Sequence, residues 1–315
     1  MRLIDAAGID RVLTFDSLID ALDLAFRGGI VAPVRHHHHI PRPDGDATLL
    51  LMPAWTDNTA ARAFLGTKIV TVFPGNAARS LPSIAGLYLL MDGATGTPLA
   101  AMDGARLTLW RTAAASALAS RAMARPDSRR MAMVGAGALA GFLVRAHATV
   151  LPLQDIAVWN RSPGGAERVV AELRAQGYPA HVSPDLEASV RAADLVSCAT
   201  LATSPLIRGA WLKPGAHLDL VGAFNLSMRE ADDQALNAGR VVVDTQAALS
   251  EGGDVAVAIK AGAYARDRVL GTLSDLCSGA IRVRQSDRDI TVFKSVGASL
   301  EDLCAAILVE SRARS

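Results

Sequence analysis

The chain reads as an α/β protein built from a doubly wound parallel sheet and a second, α+β domain. Three observations predict this. Between about residues 131 and 244, short apolar runs alternate with helical stretches, the pattern of parallel strands covered on both faces by crossover helices. The first hundred or so residues instead place consecutive strand-like segments between turn residues. Finally, 315 residues, of which 50% are hydrophobic and 20% charged, supply enough apolar surface for two cores.

In order along the chain, helical periodicity near 3–10 and 15–27 leads into strands around 48–53, 63–73, 84–91 and 98–102, separated by turns such as "PGN" and "DGATGTP". An alanine-rich helix over about Ala105–Ala124 follows. The parallel strands are expected at Met131–Val134, Ile156–Trp159, Leu195–Thr200, Leu218–Val221 and Val241–Asp244, with a crossover helix at Gly165–Gln176. The closing segment "VGASLEDLCAAILVESRA" reads as an amphipathic helix. The expected domains are 1–115, rejoined by 295–315, and 116–294.

With a formal net charge of +1 and no basic block, no nucleic-acid partner is expected. No uncharged apolar run approaches the ~18–20 residues of a membrane span. The opening "MRLIDAAGIDRVLTFD" lacks a secretory core, so a cytoplasmic location and no membrane partner are expected. Cys198, Cys277 and Cys304 are odd in number and widely spaced, as expected of reduced structural thiols. His36 to His39 invite a metal reading. In a strand, however, consecutive side chains point to opposite faces and four imidazoles do not converge on one ion. No metal is expected.

"MAMVGAGALAG" sets Gly135-x-Gly137-x-x-Ala140 between a strand and a helix. Gly135 permits the tight turn, Gly137 lets the backbone approach a pyrophosphate, and Ala140 lets helix and strand pack closely against a helix N-terminus that favours anions. That is the signature of a Rossmann-type dinucleotide domain. NAD-selective sites usually close the second strand with an acid for the ribose 2′-hydroxyl. Here the strand runs into Asn160, Arg161 and Ser162. Arg161 can pair with a 2′-phosphate and Ser162 can donate to it, so NADPH is the expected cofactor. The alternative for Arg161 is a solvated loop residue.

Three cations in the first half stand beside apolar or turn sequence: Arg35, Lys68 and Arg111. Lys68 lies in an otherwise apolar strand, where a buried ammonium is costly without an anion. Arg111 sits on the alanine-rich helix. Together they can grip a substrate carboxylate, Arg by a two-pronged contact and Lys as a point charge.

With these residues in place, the chain resembles the ornithine cyclodeaminase/mu-crystallin family. The resemblance is carried in order by "LLLMPAW", "TKIVTVFPGN", "LTLWRTAAASALA", "VGAGALAG", "VWNRSPGGAERV" and "VFKSVGASLEDLCAA". It implies a homodimer with an N-terminal substrate/dimerisation domain and a Rossmann domain. It further implies that Arg35, Lys68 and Arg111 hold a substrate carboxylate, that Ser83 and Thr112 line the nicotinamide end, and that Thr200 and Leu201 border the cofactor. Asn160-Arg161-Ser162 is similar to the NADPH-binding turn of the mu-crystallin branch, and Leu139 stands where many relatives carry Gln. Cyclodeaminases of the family typically follow the strand "HLDLV" with an Asp in "GxD-x-PGK"; here Gly222-Ala223-Phe224-Asn225 departs from it. Their "ELMP" is also replaced, by Leu50-Leu51-Met52-Pro53.

Phe224 cannot manage the amine of a diamine, but it suits an apolar ring. The expected activity is therefore NADPH-dependent reduction of a cyclic ketimine, Δ1-pyrroline-2-carboxylate or Δ1-piperideine-2-carboxylate, to L-proline or a related amino acid. Lys68 orients the carboxylate and supplies a proton, its pKa lowered by burial. The alternatives are ornithine cyclodeamination, with an acid such as Asp219 or Glu230 replacing the missing one, and a non-catalytic NADPH-binding crystallin-like protein.

Overall fold

The computed structural model describes residues 1–42, 45–79 and 81–313. The chain divides into two compact units, Met1–Thr112 with Ala298–Ser315, and Ala113–Gly297.

The first unit is a mixed seven-stranded sheet. Strands Ala47–Thr56, Phe64–Val72, Ile84–Asp92 and Pro98–Asp103 form an antiparallel meander. Arg2–Ile4 adds a parallel strand at one edge. Ile30–Val31 and His36–Ile40 both pair with Ala47–Thr56 at the other. The alternation of the strands decides which face is covered: Phe64, Gly66 and Lys68 are buried while their neighbours are only half so. Helix Phe15–Arg27 buries Phe15, Leu18, Ile19, Leu22, Ala25 and Phe26, an apolar stripe at helical spacing. It packs on helix Ser299–Arg312, which in turn covers the three longest strands. Residues 2–4, expected at the start of a helix, form the edge strand instead; Asp5 caps the helix Ala6–Val12 by accepting from the Gly8 N–H.

The second unit is an eight-stranded, wholly parallel sheet. Its order is Ala180–Val182, Asp155–Trp159, Arg130–Val134, Leu195–Cys198, His217–Leu220, Ile290–Lys294, Gly239–Val243 and Val269–Thr272. The strand direction and the helices between them make this the Rossmann-type doubly wound sheet expected from the sequence. The strands carry an almost unbroken apolar core, including Val134, Val196, Leu218, Leu220, Val241, Val243 and Val292. Ile290–Lys294 was not expected from the sequence, yet it sits in the middle of the sheet.

Helix Gly104–Met123 leads from the first unit into the second. No helix among the described residues is long and apolar enough to cross a membrane.

Candidate active site

In the second unit the turn between strand Arg130–Val134 and helix Ala140–Val150 has the shape that its glycines require. Gly135 adopts φ +105°, and a Cβ there would stand 2.5 Å from the Ala199 carbonyl oxygen. Both conditions exclude other residues. A Cβ on Gly137 would meet nothing within 4 Å, which leaves that backbone open to a ligand. The helix that follows has no acid in its first turn, so its N-terminal N–H groups face an anion unopposed.

Beside this turn lies a cavity of about 440 Å³. Of the expected cofactor residues, Gly135, Gly137, Asn160, Arg161, Ser162, Thr200 and Leu201 line it, together with Trp159, Thr203, Ser204 and Leu206. Leu139 and Ala140 do not; they begin the helix, Ala140 fully buried against the sheet. Asn160 Nδ2 donates to the Ser162 carbonyl (2.9 Å) and approaches its Oγ (3.1 Å), which shapes the turn after the second strand. Arg161 is exposed and has no hydrogen bond or ion pair among the described residues. Its guanidinium is thus available at the cavity rim, and no carboxylate lines the cavity. These features fit a dinucleotide.

The wall of the cavity is held from behind by Glu230. This fully buried carboxylate accepts from the Thr200 N–H (2.6 Å), the Thr200 hydroxyl (2.9 Å), the Gly222 N–H (2.7 Å) and the Ala223 N–H (3.2 Å). Burial pushes its pKa up to about 7, against the pull of Lys294 and with Asp254 adding to the rise. Asp254 fixes the Glu230 and Ala231 N–H groups at 2.8 and 2.9 Å and pairs at 3.3 Å with the buried Lys294. Asp219, the other acid the sequence offered, is also fully buried. It accepts from Ser116 (3.0 Å) and Ser197 (2.7 Å) and contacts His147 at 3.2 Å. Both acids are tied to internal donors. Phe224, by contrast, is 45% exposed in the loop after strand His217–Leu220 and is not core.

In the first unit Lys68 and Arg111 come together. Lys68 is 3% and Arg111 6% exposed. Lys68 Nζ lies 2.7 Å from Asp302 Oδ2 and 2.9 Å from Oδ1, with Thr108 Oγ1 at 3.4 Å. Arg111 Nε donates to the same Asp302 Oδ1 at 2.9 Å, and its Nη1 to Glu301 at 2.6 Å. Desolvation, then the Arg111 charge, lower the Lys68 pKa to about 8, with Asp302 and Glu301 opposing. Tyr88 stands cross-strand from Lys68 with its hydroxyl buried and unpartnered. Arg35 is half-buried and immediately precedes His36, the partner of Leu51; the neighbouring Met52 pairs with Lys68. Ser83 is half-buried just before strand Ile84–Asp92, its carbonyl accepting from the Phe73 N–H. Thr112 is half-buried on the helix next to Arg111.

Sequence reasoning missed Glu301 and Asp302. The signal was present: a buried ammonium demands an anion, and "SLEDLCAAIL" opens an otherwise apolar helix with two acids.

Residues 6–315 match the model of the ornithine cyclodeaminase/mu-crystallin family. The chain is 42% identical over 285 residues to protein SAR DEFICIENT 4 of Arabidopsis thaliana, covering 89% of this chain and 86% of that one. It is 39% identical over 295 residues to a Δ1-pyrroline-2-carboxylate reductase of Paracoccus denitrificans, covering 90% and 91%. Among solved structures, a Thermococcus litoralis Δ1-pyrroline-2-carboxylate reductase in complex with NADH and L-proline matches with a TM-score of 0.92 and 28% identity, over 100% of this chain and 98% of that one.

Proposed function

Because the chain belongs to the ornithine cyclodeaminase/mu-crystallin family, we propose that it is an NADPH-dependent reductase of cyclic ketimines, converting Δ1-pyrroline-2-carboxylate or its six-membered homologue to L-proline or the corresponding amino acid. The observation that carries this reading is the buried Lys68–Arg111 pair. It offers two cations to a carboxylate and one of them, with a pKa near 8, can still give up a proton near neutrality.

Arg111, Lys68 and Arg35 hold the substrate carboxylate. Lys68 keeps a proton available for the ring nitrogen, which must gain one as the C=N bond is reduced. The exposed Phe224 offers an apolar surface to the ring and no group to manage a second amine. Gly135, Gly137 and the start of helix Ala140–Val150 hold the pyrophosphate, Arg161 and Ser162 the 2′-phosphate, and Thr200 and Leu201 the adjoining wall. Leu139 and Ala140 set the helix, while Ser83 and Thr112 border the nicotinamide. The bound nucleotide supplies the hydride. The relatives named for the same reduction support this reading, and the acid-free cavity rim with its unpaired Arg161 favours NADPH over NADH. A homodimer and a cytoplasmic location complete the proposal.

One assay with two substrates tests it. With Δ1-pyrroline-2-carboxylate, NADPH is oxidised mole for mole as proline forms. Ammonia release from ornithine without net cofactor turnover would instead identify a cyclodeaminase.

A further inference from the structure

Lys68 and Arg111 share one carboxylate. Asp302 Oδ1 is 2.9 Å from Lys68 Nζ and 2.9 Å from Arg111 Nε. Its other oxygen is 2.7 Å from Lys68. Asp302 is fully buried and belongs to the first turn of helix Ser299–Arg312, where the helix dipole favours a negative charge. Glu301 beside it reaches Arg111 at 2.6 Å, whereas Asp302 is the acid in contact with Lys68. The two acids are therefore not equivalent.

We infer that Asp302 is a positioning residue for the reduction: it fixes the Lys68 ammonium and the Arg111 guanidinium on one oxygen and keeps Lys68 protonated. The inference rests on the role given to Lys68 above. Three charged groups set the balance at Lys68. From helix Gly104–Met123 comes Arg111, which opposes the ammonium; from helix Ser299–Arg312 come Asp302 and Glu301, which favour it. Tyr88 and Cys304 also belong to this neighbourhood, but burial pushes the Tyr88 phenol well up and the Cys304 thiol up to about 12, so both are neutral at working pH. Burial and Arg111 together press Lys68 towards the neutral amine, and Asp302 is the carboxylate in contact with it that resists.

The sign of the effect follows. A reductase that needs protonated Lys68 loses activity as pH rises through the Lys68 pKa. Removing the Asp302 charge lowers that pKa further, so the loss begins at lower pH. Loss of an opposite charge in contact with a buried group moves a pKa by about 1–3 units.

The test uses Asp302→Asn in the full-length protein, with two readouts. The first is the pH profile of kcat for imine reduction at saturating substrate. The second is the ionisation of Lys68 in the ligand-free protein, followed by NMR of 13C-labelled lysine. The chain has only four lysines, and the Lys68 signal is assigned by its loss in Lys68→Arg. The expected result is a downward shift of about 1–3 units in both the alkaline limb and the NMR midpoint, with a smaller shift in Glu301→Gln. Should Asp302→Asn not fold, Asp302→Ser removes the same charge with less bulk and reads the same shift. An unmoved NMR midpoint overturns the inference, whatever happens to kcat. A shifted midpoint with an unmoved profile upholds Asp302 as the group that sets Lys68 and overturns Lys68 as the proton source.

Discussion

In the proposed reading Arg161 sets the preference for NADPH, and its surroundings make the prediction sharp. Among the described residues it is exposed and has no partner, at the rim of a cavity that no carboxylate lines. Arg161→Asp should weaken NADPH binding by about 10–100-fold, the loss of charge-assisted hydrogen bonds worth about 1.5–3 kcal/mol, and leave NADH within about threefold. Titration calorimetry with both nucleotides checks this; equal losses would remove Arg161 from the 2′-phosphate. In the proposed reduction Lys68 is the proton source. Lys68→Met should lower kcat by about 10²–10⁴-fold, the usual contribution of a positioned acid, with NADPH affinity unchanged in the same calorimeter. For the wild type, kcat should fall as pH rises through about 8, because the neutral amine has no proton to give. The residue scale was legible wherever a residue type is constrained by its own chemistry: a glycine in a phosphate turn, an arginine where an acid is usual, a lysine in an apolar strand. Glu301 and Asp302 were missed although a lysine in an apolar strand calls for an anion, because acids in the first turn of a helix also serve the dipole from solvent, and only the fold buries these two.

Among the elements, strand Ile290–Lys294 was the least legible and is among the most consequential. Its sequence, ITVFK, ends on a lysine and contains a threonine, and no strand was expected there. In the sheet both are fully buried. Thr291 donates to the Met123 carbonyl at 2.9 Å, while Lys294 donates to the Leu220 carbonyl at 3.2 Å and pairs with Asp254. Partners distant in sequence pair these polar groups, and periodicity cannot show such partners. The same ionic group bears on Glu230, and a pH effect follows. Between about pH 4.5 and 7 the folded chain retains a proton on Glu230 that the unfolded chain has released, so this group's contribution to stability falls as pH rises through that window. Glu230→Gln removes the dependence. It also aims an amide at backbone N–H donors, at a cost of about 1–3 kcal/mol. In thermal melts, the difference between wild type and Glu230→Gln should shrink from about pH 5 to pH 8; a pH-independent difference would remove Glu230 as the titrating group. In the first unit, a Cβ on Gly66 would stand 2.1 Å from the Tyr88 hydroxyl. Gly66→Ala therefore displaces the phenol cross-strand from Lys68 and should cost about 1–3 kcal/mol in a urea melt, the usual price of overpacking.

At the scale of the whole molecule, the parallel sheet was the more readable half, since continuous apolar runs admit few other architectures. The antiparallel meander was readable from its turns. Its edge was less so: Arg2–Ile4 is too short to show a period, and His36–Ile40 exposes all four of its histidines. The family resemblance joined these pieces, and the match over residues 6–315 agrees with it. What separates the proposed activity from the cyclodeamination also found in that family is that its hydride is consumed and not recycled. The most direct measurement supplies NADPH deuterated at the transferring position together with Δ1-pyrroline-2-carboxylate and examines the product by mass spectrometry and NMR. The account predicts L-proline with one deuterium at C2 and one NADP⁺ formed per proline. Unlabelled proline, or proline and ammonia formed from ornithine with the nucleotide pool unchanged, would contradict it.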